Sequence, residues 1–180
     1  MHRDNHAMRR KEGMAKVVDS NDGVQAAQAA GGVAVSRPAF DLHGEYRFKV
    51  DDKGRVSLPS KFRKVISKDL VVTLNPDDEC LWVFDPDEFN RWIDRLFVDS
   101  FGKYDSSNKQ HIKLRSKLKR RSQDVQIDAS GRIMLPAKMR GAVDIDKDVV
   151  IVGNTGYFEV WDAKRCDEAD EDVDLDLLFH

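Results

Sequence analysis

Phe48-Lys-Val-Asp-Asp-Lys-Gly-Arg-Val-Ser-Leu-Pro-Ser-Lys-Phe-Arg63 returns 77 residues later as Val125-Gln-Ile-Asp-Ala-Ser-Gly-Arg-Ile-Met-Leu-Pro-Ala-Lys-Met-Arg140. Asp51, Gly54 and Arg55 recur as Asp128, Gly131 and Arg132, and Leu58-Pro59 recurs as Leu135-Pro136. Lys61 and Arg63 recur as Lys138 and Arg140. The likeness runs on: Leu70–Leu74 corresponds to Val149–Gly153, and Leu81–Asp85 to Phe158–Asp162. Self-similarity at a fixed offset marks a duplicated structural unit. The unit reads strand, turn, strand, short helix, strand, turn, strand.

The pattern within a unit carries its own physics. Tyr46, Phe48 and Val50, then Val56 and Leu58, alternate with polar residues, the period of a half-buried strand. Asp51-Asp52-Lys53-Gly54 predicts a hairpin turn, with Gly54 at positive φ and Asp51 bonding the turn backbone. Pro59 ends the second strand and suits a first helical turn. Residues 60–66 then place Phe62, Val65 and Ile66 on one face. Between the copies, Asp85-Pro86-Asp87-Glu88 has a capping-box pattern ahead of Phe89, Trp92, Ile93, Leu96 and Phe97 at helical spacing. A second helix is predicted over about 106–121; Lys109, Lys113, Arg115, Lys117, Lys119, Arg120 and Arg121 make it basic. Trp82, Trp92 and Trp161 lie in apolar patterns and are expected in the core.

The fold class expected is α+β, mainly β: two units too small to be stable alone bury their apolar faces against each other as a pseudo-symmetric closed barrel, with connecting helices. The organisation expected is an unstructured arm at 1–39, a first unit at 40–85, a helical connection at 86–121, a second unit at 122–165 and a disordered acidic tail at 166–180. The arm has no apolar h-region, so no signal peptide is expected.

Of the 180 residues, 41% are apolar, enough for a core, and the net charge is −2. That charge is unevenly spread. Residues 40–166 sum to +3, while 167–180 hold seven acids and no base. A weakly basic body with an acidic tail is a different object from an acidic protein. No run approaches the roughly 20 apolar residues of a membrane span. Two cysteines, Cys80 and Cys166, make neither a disulfide scaffold nor a four-ligand zinc site, and are expected as reduced thiols inside a cell. No nucleophile-elbow, phosphate-loop, dinucleotide or zinc-protease motif occurs, so no enzyme, metal or cofactor is expected.

The exposed positions carry what chemistry there is. Arg47, Lys49 and Lys53 in copy one become Asp124, Gln126 and Ser130 in copy two, while Arg55 persists as Arg132. A basic two-stranded ribbon fits the major groove of DNA, and arginine reads guanine through two hydrogen bonds. Arg55 is the expected base contact; Arg47, Lys49 and Lys53 are the expected phosphate contacts. Arg132, in less basic surroundings, is expected to serve structure more than DNA. Lys61, Arg63, Lys138 and Arg140 on the short helices either touch phosphate or complement the helix ends. For Arg55 the plain alternative is a turn arginine pairing with Asp51.

The doubled Asp-x-x-Gly-Arg-x-x-Leu-Pro-x-Lys-x-Arg motif resembles the MraZ family. Phe40, Glu45-Tyr46-Arg47, Cys80-Leu-Trp-Val-Phe84 and Phe158-Glu-Val-Trp-Asp162 add to the resemblance, which spans about Phe40 to Lys164. It implies an AbrB-like swapped-hairpin barrel and a transcriptional regulator. It also implies binding to direct repeats in double-stranded promoter DNA upstream of its own gene, in the division and cell-wall cluster. The self-partner it implies is a ring-shaped homo-oligomer, the location cytoplasmic and nucleoid-associated, the DNA-contacting arginine Arg55 and, less directly, Arg132. The alternative is a ring serving structure or protein interaction without reading DNA. Residues 1–39 and the acidic tail fall outside the resemblance.

Overall fold

The computed structural model describes residues 40–171 and 173–179; the expectation for the arm at 1–39 lies outside them. The first copy of the repeat forms β1 (Glu45–Lys49), β2 (Arg55–Ser57), a 3-10 turn (Phe62–Lys64), β3 (Asp69–Leu74) and β4 (Leu81–Phe84). Two helices follow, α1 (Pro86–Phe101) and α2 (Lys109–Arg120). The second copy forms β5 (Ser122–Gln126), β6 (Arg132–Met134), α3 (Ala137–Ala142), β7 (Asp148–Gly153) and β8 (Tyr157–Asp162). The chain continues as α4 (Ala163–Glu171) and a last 3-10 turn (Leu175–Leu178).

The strands of the two copies interlace. One sheet has the order β1-β7-β8-β4-β3-β5; a second holds only β2 and β6. β1 of the first copy pairs with β7 of the second, Phe48 opposite Val149. β5 of the second pairs with β3 of the first, Val125 opposite Leu70. β2 and β6 pair with Val56 opposite Ile133.

The hairpin read into each copy is therefore corrected. The turns form as expected: Gly54 and Gly131 sit at φ of 80° and 75°. The strands flanking each turn, however, bond to the other copy and not to each other. Single-sequence alternation reports which face of a strand is buried, not which strand lies beside it. The closed barrel is also corrected. β1 and β5 are the two edges of the six-stranded sheet and share no ladder, so the hydrogen-bonded sheet stays open.

The sequences fit these positions. β3 and β7 are central and almost wholly apolar, with Leu70, Val71 and Val72, and Val149, Val150 and Ile151, all buried. β5, at an edge, buries only Val125. One core gathers the inward residues of both copies, including Val56, Leu58, Phe62, Ile133, Leu135 and Phe158. Phe62 stands edge-on to Tyr46 with ring centroids 5.4 Å apart. Val65 departs from the expected shared face and is exposed, because the segment closes as a single 3-10 turn and brings only Phe62 and Ile66 inward.

α1 builds a second core on the far face of the sheet, where Phe89, Ile93 and Phe97 meet Val71 and Phe84, with Trp82 and Trp92 half-buried beside them. Trp161 is likewise half-buried, its indole N–H donating to Glu159. Asp85 does occupy the N-cap of α1, but its carboxylate accepts from the backbone N–H and hydroxyl of Ser67 instead of from the helix. The cap position thus ties α1 to β3. α2 begins at its own cap, where Asn108 accepts from the N–H of Gln110 and His111. α4 runs from the second unit into residues 166–171, expected from sequence in the disordered acidic tail. Asp162 accepts from the N–H of Lys164 and Arg165, and Cys166 is buried. Cys80 and Cys166 are free thiols, and burial pushes both up, Cys166 to about 11. Among the described residues no helix is long and apolar enough to cross a membrane.

Gly153 sets where residues 40–44 lie. A Cβ there would come within 2.6 Å of the Leu42 and His43 backbone. Gly153→Ala is expected to destabilise the protein by about 1–3 kcal/mol, the usual penalty of overpacking against atoms that cannot rotate away. A urea midpoint within error of the parent protein's would show that this packing is not tight.

Candidate nucleic-acid interface

The candidate interface is the β2–β6 ribbon and the two turns that feed it. Each turn is closed by its own aspartate. Asp51 Oδ1 accepts from the backbone N–H of Lys53 and Arg55 at 3.0 and 2.9 Å. Asp128 Oδ1 accepts from Ser130 and Arg132 in the same way, at 2.9 Å each. The second oxygen of each carboxylate holds the arginine four residues on. Arg55 Nε donates to Asp51 Oδ2 at 2.8 Å, and Arg132 Nε to Asp128 Oδ2 at 3.0 Å. A carboxylate that spans the turn and grips the guanidinium fixes the side chain's direction as well as its charge.

The ribbon brings the two units together. Arg55 lies opposite Met134 and Arg132 opposite Ser57 in the β2–β6 register. Arg132 Nη1 also reaches Asp51 Oδ2 at 3.6 Å, so the two arginines and two aspartates form one ionic group. Each turn also hands a backbone bond across: Leu58 N–H donates to Gly131 O, and Leu135 N–H to Gly54 O. The arginine of each short helical segment then lies over the other copy's glycine. A Cβ on Gly131 would come within 2.8 Å of Arg63 Cδ, and one on Gly54 within 2.9 Å of Arg140 Nη2. The positive φ favours glycine at both positions, and a side chain there would also have to push the neighbouring arginine aside.

Of the residues singled out from sequence, the structure thus gathers Arg55, Arg132 and Arg63 around the ribbon, with Lys53 exposed on the tip of the first turn. Lys61 is exposed just before the 3-10 turn. Arg47 and Lys49 are not on the ribbon. They stand on β1 in the other sheet, and both face carboxylates: Arg47 meets Glu45 and Asp167, and Lys49 meets Asp148 at 3.5 Å. The hydrogen bond that Arg47 donates to Asp167 raises the Arg47 pKa and lowers that of Asp167.

One sequence reading changes. Arg132 is not in surroundings poor in positive charge, because the strand exchange sets it in the same ionic group as Arg55. Arg140, the counterpart of Arg63 in the repeat, lies over Gly54 beside this group. The pairing of Arg55 with Asp51 is present, and it leaves both arginines accessible, with side chains 27% and 29% exposed. The guanidinium has five N–H donors, so the Nε–Nη2 edge that Asp51 holds leaves the Nη1 end of Arg55 for another acceptor, while that of Arg132 already faces Asp51.

Electrostatics keeps the group charged. The hydrogen bond from Arg55 holds the Asp51 carboxyl down to about 2. Backbone donation from Arg132 lowers Asp128 in the same sense. Bonding to the carboxylate raises the Arg55 pKa.

The family model described as "MraZ protein, putative antitoxin-like" matches residues 42–111 and 120–171. The chain belongs to the MraZ family. Among curated MraZ proteins, the "Transcriptional regulator MraZ" of Lachnoclostridium phytofermentans is 33% identical over 137 residues, covering 76% of this chain and 92% of that protein. The protein of the same name from Mycolicibacterium smegmatis is 36% identical over 125 residues, covering 69% and 83%. That of Treponema denticola is 29% identical over 127 residues. The MraZ match takes in both turns and the whole ribbon, skips residues 112–119 within α2, and stops at the end of α4.

Asp51 gives a pH-dependent test of the turn. Its folded pKa lies below the 3.8 of a free carboxyl, so its contribution to stability is complete above about pH 4 and is lost as the pH falls toward 2. The difference in urea midpoint between the parent protein and Asp51→Asn is expected to stay constant from pH 5 to pH 8 and to shrink through that acid window. A difference that does not change with pH would show that the carboxylate is not held in this way.

Proposed function

We propose that this chain is a transcriptional regulator that binds double-stranded DNA through the β2–β6 ribbon, with Arg55 and Arg132 reading bases together. The observation that carries the reading is the pair of partly exposed arginines, aspartate-oriented and set diagonally across a two-stranded ribbon of the kind the major groove admits. The names of the curated relatives support regulation of transcription. Lys53, Lys61, Arg63 and Arg140 would hold phosphate around that pair. Arg47 and Lys49 contribute to the field of the body, and their acid partners make them secondary.

In this reading residues 40–85 and 122–165 are two copies of one AbrB-like swapped-hairpin unit, joined by the helical connection 86–121 and flanked by 1–39 and 166–180. The exchange of strands between copies supports it. The DNA would be direct repeats upstream of the chain's own gene, in the division and cell-wall cluster, and the working location the cytoplasm and nucleoid. A ring-shaped homo-oligomer would set several ribbons on successive repeats. Linked ribbons raise the effective concentration, so each can bind weakly while the assembly binds well.

Arg55→Ala and Arg132→Ala are each expected to weaken binding to the DNA upstream of the gene by about 5- to 150-fold, the range of one lost two-bond guanine contact. Arg55→Lys should not restore it, since lysine offers a point charge. Gel shifts at fixed salt measure this, with circular dichroism confirming the fold. Unchanged affinity in both alanine variants would remove the ribbon from the interface.

A further inference from the structure

α1 and α2 leave an apolar groove open between them. Leu96, Phe97, Phe101, Leu114 and Leu118 line a cavity of about 390 Å³, with Lys117 and Arg121 at its rim. Ligand pockets span roughly 300–1,000 Å³. Phe101 and Leu114 are exposed there, 49% and 37%. α2, which forms one wall of the groove, is basic. Lys109, Lys113, Lys117 and Arg120 on α2 are exposed, whereas Arg115 is tied to Asp94, Lys119 to Asn90 and Arg121 to Asp78.

A second unpartnered apolar surface lies at residues 173–179. Val173, Leu175, Leu177, Leu178 and Phe179 are all exposed, Leu177 at 83%. They alternate or cluster with Asp170, Glu171, Asp174 and Asp176, and the segment carries no positive charge. A short run of large apolar side chains set among acids is complementary to an apolar groove with a basic rim, in both hydrophobicity and sign. Among the described residues both surfaces stay uncovered.

We infer that the acidic, apolar segment 173–179 of one copy docks in the α1–α2 groove of a second copy. The complementarity of hydrophobicity and charge supports the pairing of these two surfaces. The contact joins two different surfaces, so each copy both gives a tail and receives one, and successive copies are linked head to tail.

The test uses two full-length chains with different tags, one carrying Phe179→Cys and the other Ser100→Cys in the groove wall. The native Cys80 and Cys166 are buried and stay out of the reaction. A short bismaleimide should join the two chains into a mixed dimer. Leu114→Asp in the groove chain should lower its yield about tenfold, as loss of a contact-centre anchor does. Leu177→Asp with Leu178→Asp in the tail chain should do the same, and these exposed positions leave the body's packing untouched. A mixed-dimer yield that neither change lowers would overturn the assignment. So would a cross-link that forms only within one chain bearing both cysteines and is indifferent to dilution, because the groove would then hold its own tail.

Discussion

β2 and β6 have three residues each, shorter than strands that hold together unaided. They pair because the turns before them are closed by Asp51 and Asp128, and because each turn accepts a backbone bond from the other copy, at Gly54 and Gly131. This crossing sends β1 into the second copy's sheet edge and β5 into the first's. It buries Val56 and Ile133 completely at the centre of the common core. A copy without the other would leave β1 and β5 unpaired and half that core exposed. The dependence of the two copies on each other therefore follows from two aspartates and two glycines.

Much of this was legible in the sequence. Alternation at Tyr46–Val50 and Val56–Leu58 identified the buried faces, since the period-two signal is a property of one strand alone. The repeat offset identified Gly54 with Gly131 and Arg55 with Arg132. Pairing was not legible. Asp-x-x-Gly between two alternating runs reads as a hairpin, and nothing local says that each strand will find its partner dozens of residues away in the other copy; Phe48 opposite Val149 and Val56 opposite Ile133 are such pairs. The capping aspartate shows the same limit. Asp85 stands where a cap was expected, yet bonds Ser67, eighteen residues earlier. Local rules placed the residue, and tertiary packing chose its partner.

The misread asymmetry has the same origin. Compared along the chain, Arg47, Lys49 and Lys53 made the first copy basic and left Arg132 isolated. In space, β1 carries Arg47 and Lys49 into the six-stranded sheet, beside Asp167 and Asp148. The ribbon keeps one arginine from each copy, and the neighbouring short segments add Arg63 and Arg140. Charge counted by copy is therefore a poor guide in an interlaced fold. The near-symmetric group is the ribbon, and the asymmetric charges lie off it.

An arginine already paired with aspartate looks committed to structure, and that objection bears on the proposed interface. An exposed ion pair contributes little to stability, so the pairing at the ribbon does little to hold the fold. Its effect is on geometry. A free arginine has several rotatable bonds to fix on binding, at a cost of about 0.5–1.5 kcal/mol for each immobilised side chain. Asp51 and Asp128 remove much of that freedom beforehand, and the Nη1 end of Arg55 is left without an aspartate partner. They also offset part of the positive charge, which lowers attraction to phosphate in general while keeping the directed donors. Such an arrangement favours discrimination over bulk affinity. The bulk attraction must then come from other cations and from the number of ribbons engaged, which is why linkage between copies matters to a site built this way.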